Sequence, residues 1–132
     1  MKIEDHLTSF NEHKETIFEW ALKVKGLKNS QRIIGLHISR AIIDLLSAYL
    51  HETNKINLGF QINHRWFKSK KVLKKLPDFK DKEKIINNII KLELLSEDLS
   101  YSSPKSIEKI KEAINLFKKI EEEINKIRNE NK

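Results

Sequence analysis

The sequence predicts an all-α fold: an up-and-down helical bundle of four long helices and one short helix, in a single domain over residues 1–132. Three observations carry this. Residues 31–51, QRIIGLHISRAIIDLLSAYLH, are apolar around most of a helix circumference, so other helices must enclose them. Three glycines and two prolines are too few for the turns of a multi-stranded sheet. Apolar residues at 39% and charged residues at 34% describe a soluble helical chain rather than a disordered one.

The first helix is expected over residues 4–24. Ile3, Leu7, Phe10, Ile17, Ala21 and Val24 fall on one heptad seam, interrupted by Lys14. Gly26 marks its C-terminal cap, and Asn29 or Ser30 caps the central helix, residues 31–51. Within that helix, Gly35 is expected to let a neighbouring helix approach closely. A short third helix over residues 62–76 would set Ile62, Trp66, Leu73 and Leu76 inward, until Pro77 breaks it. The fourth helix, residues 81–99, carries more apolar residues than one seam needs, which points to a second contact surface such as a dimer interface. Ser103 as N-cap and Pro104 at the first position open the fifth helix, which runs to about residue 128. Its seam is Ile110, Ala113, Phe117, Ile120, Ile124 and Ile127.

The absence of cysteine excludes disulfides and thiolate chemistry. No His-x-x-x-His pair appears, and His6 and His13 lie two turns apart, so no metal site and no cofactor are expected. Gly26, Gly35 and Gly59 stand alone, which rules out a glycine-rich phosphate loop. The N-terminus is too polar for a signal peptide, and Arg40 and Asp44 argue against a membrane span; a cytoplasmic location is expected.

Two clusters carry candidate chemistry. His37, Arg40, Asp44, Ser47 and His51 follow at steps of three and four and line one face of the central helix. An arginine with two imidazoles there would hold a phosphate or move a proton near neutral pH. Alternatively, Arg40 and Asp44 pair on a solvated or dimer-facing stripe with the histidines at its rim. The second cluster is basic. Net charge is +7, and between Lys55 and Lys91 eleven Lys or Arg face only Asp78, Asp81 and Glu83. Arg65, Lys68, Lys70, Lys71, Lys74 and Lys75, with His64 and Trp66 beside them, form an expected nucleic-acid surface. The bland reading buries Trp66 and solvates the lysines.

The layout resembles the HEPN domain, a small prokaryotic helical bundle found beside minimal nucleotidyltransferases. LHISRAIIDLLSAYLHETNKI looks like the family's central helix and turn, INHRWFKSKKVL like its histidine-bearing segment, and YSSPKSIEKIKEAINLFKKIEEEI like its tyrosine–proline loop and last helix. The resemblance covers most of residues 30–125. It implies metal-independent ribonuclease action or a nucleotidyltransferase partner in a toxin–antitoxin pair, beside the expected RNA- or nucleotide-associated role and a homodimer through apolar surface on helix two or four. In that case His37, His51 or His64 would act on the 2′-hydroxyl and Arg40 or Arg65 would stabilise the phosphorane. Arg32 and His37 have the spacing of the family's arginine–histidine pair, but residues five apart on a helix diverge by ~140°. The competing classes are a non-catalytic scaffold that binds protein through spare apolar faces, and a subunit of a larger RNA-guided assembly.

Overall fold

A computed structural model describes residues 2–101 and 103–130, and among these all regular structure is helical. Helix α1 (Ile3–Glu15) runs on without a break into a π-helical segment (Thr16–Lys25). Helix α2 (Gln31–Glu52) is the centre of the bundle and packs against α1, α4 (Lys82–Tyr101) and α5 (Ile107–Glu130). Ile34, Ile38, Ile42, Leu46 and Leu50 of α2 are fully enclosed. Helix α2 is long and apolar enough to cross a bilayer, yet 72% of its most apolar window is buried inside the bundle, as in a core helix.

Five expectations need correction. Val24 does not continue the first seam: it is 62% exposed. In the π segment each residue advances by roughly 82° instead of 100°, because the bonds close from i to i+5. Ile17 and Ala21 therefore stay on the buried side, and Val24 is carried round to solvent. Thr16 marks the change: its hydroxyl donates to the Glu12 carbonyl at 2.9 Å.

The predicted third helix is instead two short turns. A 3₁₀ turn (His64–Lys68) and a single turn of helix, α3 (Val72–Lys75), are separated by Ser69 in an extended conformation. That break changes which side chains point inward. Phe67 and Val72 are fully buried, whereas Trp66 is half-buried and stands edge-on to Phe60.

Helix α5 starts at Ile107, not Pro104, and the Ser106 hydroxyl accepts from the Lys109 amide at 3.2 Å. Ser102 of the preceding loop lies outside the described residues. The loop is held by Gln31, whose side-chain amide donates to the Leu99 and Ser103 carbonyls and whose carbonyl accepts from the Lys105 amide. Ser30 does precede α2, but its hydroxyl bonds backward to the carbonyls of Ala21 and Gly26 instead of capping.

The surplus apolar residues of α4 are used within the chain. Ile85, Ile86, Ile89, Leu92 and Leu99 are buried between α2, α5 and the 3₁₀ turn, and Leu94 stays exposed. The seam of α5 is buried throughout, as its period requires.

Gly35 sets the spacing between α2 and α4. A Cβ there would sit 2.7 Å from the Ser100 hydroxyl, 2.8 Å from the Ser100 nitrogen and 2.9 Å from the Leu99 Cβ. The backbones are close enough for the Ser96 hydroxyl to donate to the Gly35 carbonyl. Gly35→Ala is expected to destabilise the fold by about 1–3 kcal/mol despite alanine's better helix propensity. Urea unfolding would measure this, with Leu36→Ala on the exposed neighbouring position as a near-neutral control.

Candidate functional site

One turn beyond Gly35, Ser39 faces α4 at the position of Glu93. Glu93 is a buried carboxylate, only 3% exposed, and it has to be paired to be tolerated there. It accepts from the Ser39 hydroxyl at 2.5 Å and lies 3.0 and 3.2 Å from Nδ1 of His64. The hydrogen-bond chain thus runs Ser39, Glu93, His64. With Glu93 ionised, His64 Nδ1 carries the proton and donates, which leaves Nε2 as the ring's free nitrogen.

His64 opens the 3₁₀ turn, where Asn63 caps the start by accepting from the Arg65 amide at 2.8 Å. Phe67, fully buried, anchors the other end. The turn overhangs a cleft of about 250 Å³ between α2 and α4, lined by Ser39, Arg40, His64, Arg65, Lys68 and Glu97 among others. A second, wider cleft of about 620 Å³ shares Arg40, His64 and Arg65 and adds Ser9, His13, Asp44 and Trp66. The two meet across Arg40 and the 3₁₀ turn and form one groove. Arg40 donates to the Leu36 carbonyl at 2.9 Å, and Arg65 is exposed.

The polar seam of α2 faces α1, and this settles where it points. Asp44 is taken by His6 at 2.9 Å and by the Ser9 hydroxyl at 2.6 Å, so the expected Arg40–Asp44 pair does not form. His13 meets His37, Nδ1 to Nδ1, at 2.8 Å, and His51 stacks on His6. Burial, more than any neighbouring charge, holds His13, His37 and His51 below the usual histidine range.

These contacts sort the predicted catalytic residues. Arg40 and His64 line the groove together. His51 is 6% exposed and is no rim residue, and neither it nor His37 lines the groove. Both are corrected to interface residues of α1 and α2. Arg32 lies elsewhere, in a separate hollow with Lys25 and Lys28, so it forms no pair with His37.

Of the basic cluster, Arg65 and Lys68 reach the groove, and Lys68 pairs with Glu97 at 3.0 Å. Lys75 sits 4.7 Å above the Trp66 ring in a cation–π contact. Lys70, Lys71 and Lys74 are exposed, and among the described residues none of them is in a salt bridge. The glutamates of α5 pair with Lys14, Lys80 and Lys84 instead. The basic segment therefore keeps three exposed lysines that no carboxylate pairs among the described residues.

The candidate clusters read from the sequence include neither Glu93 nor Ser39, and spacing raises His13 only as a metal ligand. Glu93 carried a signal: it falls four residues after Ile89 and three before Ser96, an acid inside an otherwise buried stripe. His13 had a weaker one, three residues beyond the buried Phe10. Among the described residues, no three His, Asp or Glu side chains are placed to share a metal ion.

The chain matches no known protein family, no curated protein and no solved structure.

Phe67→Ala removes the only fully buried side chain of the 3₁₀ turn and is expected to cost about 3–5 kcal/mol. Ser39→Ala is expected to be far milder, about 1 kcal/mol, because Glu93 keeps its histidine partner. Paired urea titrations of the two variants would check the ranking.

Proposed function

We propose that the groove binds single-stranded RNA and that the protein is a small, cytoplasmic, HEPN-like RNA-associated bundle that cleaves by metal-independent transesterification. The observation that carries this reading is His64, held through Nδ1 by the buried Glu93 and flanked by Arg40 and Arg65 on the walls of one groove. In this reading Nε2 of His64 takes the proton of a ribose 2′-hydroxyl. The 2′-oxygen then attacks the adjacent phosphorus, and the 5′-oxygen leaves as it takes a proton from water, giving a 2′,3′-cyclic phosphate and a 5′-hydroxyl end; the His64 imidazolium returns its proton to the hydroxide left behind. Arg40 and Arg65 offer fixed guanidinium donors to the phosphorane oxygens. Lys70, Lys71 and Lys74 extend a positive track for flanking phosphates, and Trp66 offers a face on which an unpaired base can stack. The HEPN resemblance adds a nucleotidyltransferase partner, as in a toxin–antitoxin pair, to this proposal, and a homodimer is part of the same reading.

The test is fluorescence anisotropy with a labelled single-stranded RNA across a salt series, with chelator present and products resolved on a gel. Affinity is expected to fall steeply with salt, and Arg65→Ala to weaken binding and flatten the salt slope by about one unit. Cleavage is expected to drop by about 10²–10⁴-fold in His64→Gln with binding retained. Binding without cleavage would reduce the reading to an RNA-binding module. No binding at low salt would overturn it and favour a scaffold that docks protein through exposed apolar residues such as Trp20 and Val24.

A further inference from the structure

Four of the five histidines in the chain meet where α1 lies on α2. His6 and His51 stack with ring centroids 5.4 Å apart, and the Nδ1 atoms of His13 and His37 are 2.8 Å apart. An N···N contact of that length holds one proton, donated by one ring and accepted by the other's lone pair. If both rings become imidazolium, two N–H groups point at each other and the bond is lost. The stacked pair is also a like-charge pair once both of its rings are charged.

The surroundings compensate only part of that charge. On α2, Asp44 bonds His6 and Ser9 and lies 3.7 Å from Nε2 of His13, while Arg40 adds a positive charge nearby. On α1, Glu12 acts weakly on His13. The segment after α2 brings His64 and Arg65 to the groove that His13 also lines. From α5, Glu121 is occupied by Lys14 at 2.6 Å. Asp44 therefore serves two of the four imidazoles, His6 and His13, while His37 and His51 contact the cluster through His13 and His6.

We propose that this histidine cluster is an acid-sensitive latch that releases α1 from α2 and opens the wall of the groove that carries Ser9 and His13. Its direction follows from linkage. Burial holds His13 and His37 below their ordinary value of 6.5; Asp44 opposes this at His13, and the charges of His13 and Arg40 add to it at His37. The detached state thus binds more protons than the docked one, so docking is fully stable above that value and weakens as pH falls through it. The stacking of Phe10 of α1 on Phe117 of α5 does not titrate. The latch stands on the imidazole geometry and is independent of whether the groove takes RNA.

Hydrogen exchange of the full chain from about pH 7.5 to about pH 5, corrected for intrinsic exchange chemistry, would test it. Amides of α1 are expected to lose several-fold more protection than those of α5. His37→Asn is expected to flatten this difference, whereas His64→Asn is expected to leave it intact. Parallel loss of protection in α1 and α5 would overturn the latch, as would a His37→Asn profile identical to that of the unaltered chain. If His37→Asn does not fold, the α1-selective loss in the unaltered chain decides alone.

Discussion

The approach of α2 to α4 at Gly35 sets the distances on which the groove depends. Without a Cβ at that position the two backbones come near enough for Ser96 and Ser100 to lie against α2. One turn further along, the same separation puts Ser39 within 2.5 Å of Glu93. A wider crossing would leave Glu93 either hydrated or stranded, and a buried carboxylate without partners is among the costliest errors a fold can contain. The small side chains of α2 and the polar ones of α4 thus form one ladder, and His64 is held at its end.

A different solution holds α1 to the opposite side of α2. Apolar packing through Phe10 and Ile17 is combined with a polar strip in which Asp44, Ser9 and the four imidazoles satisfy one another. His51 Nε2 is left without a hydrogen-bond partner among the described residues, which marks this contact as less completely satisfied than the one between α2 and α4. The strip also consumes the residues that looked most like a free catalytic face. Of that seam, Arg40 and Asp44 reach the groove, and the Arg40 guanidinium is free of a carboxylate.

Periodicity made the core legible and tertiary contact decided the rest. The seam of α5 and the enclosed face of α2 follow from apolar spacing, and both are buried as that spacing demands. Gly35 could be read as a close-approach residue because glycine inside a long apolar helix needs a packing reason. The first seam failed at Val24 because a π segment changes the angle per residue, and nothing in the composition of TIFEWALKVK announces that change. The third helix failed because its apolar residues are sparse and Ser69 adopts an extended conformation, so Phe67 and not Trp66 became the anchor. The histidine cluster was out of reach for another reason. His6 and His13 lie on one helix and His37 and His51 on another, and only the packing of the two helices brings them together.

The groove draws His13, Arg40, His64 and Glu93 from four separate stretches of the chain, with none of them supplying two of these side chains. The site is therefore complete only once α1, α2, the 3₁₀ turn and α4 have docked, and a chain lacking any of these elements lacks part of it.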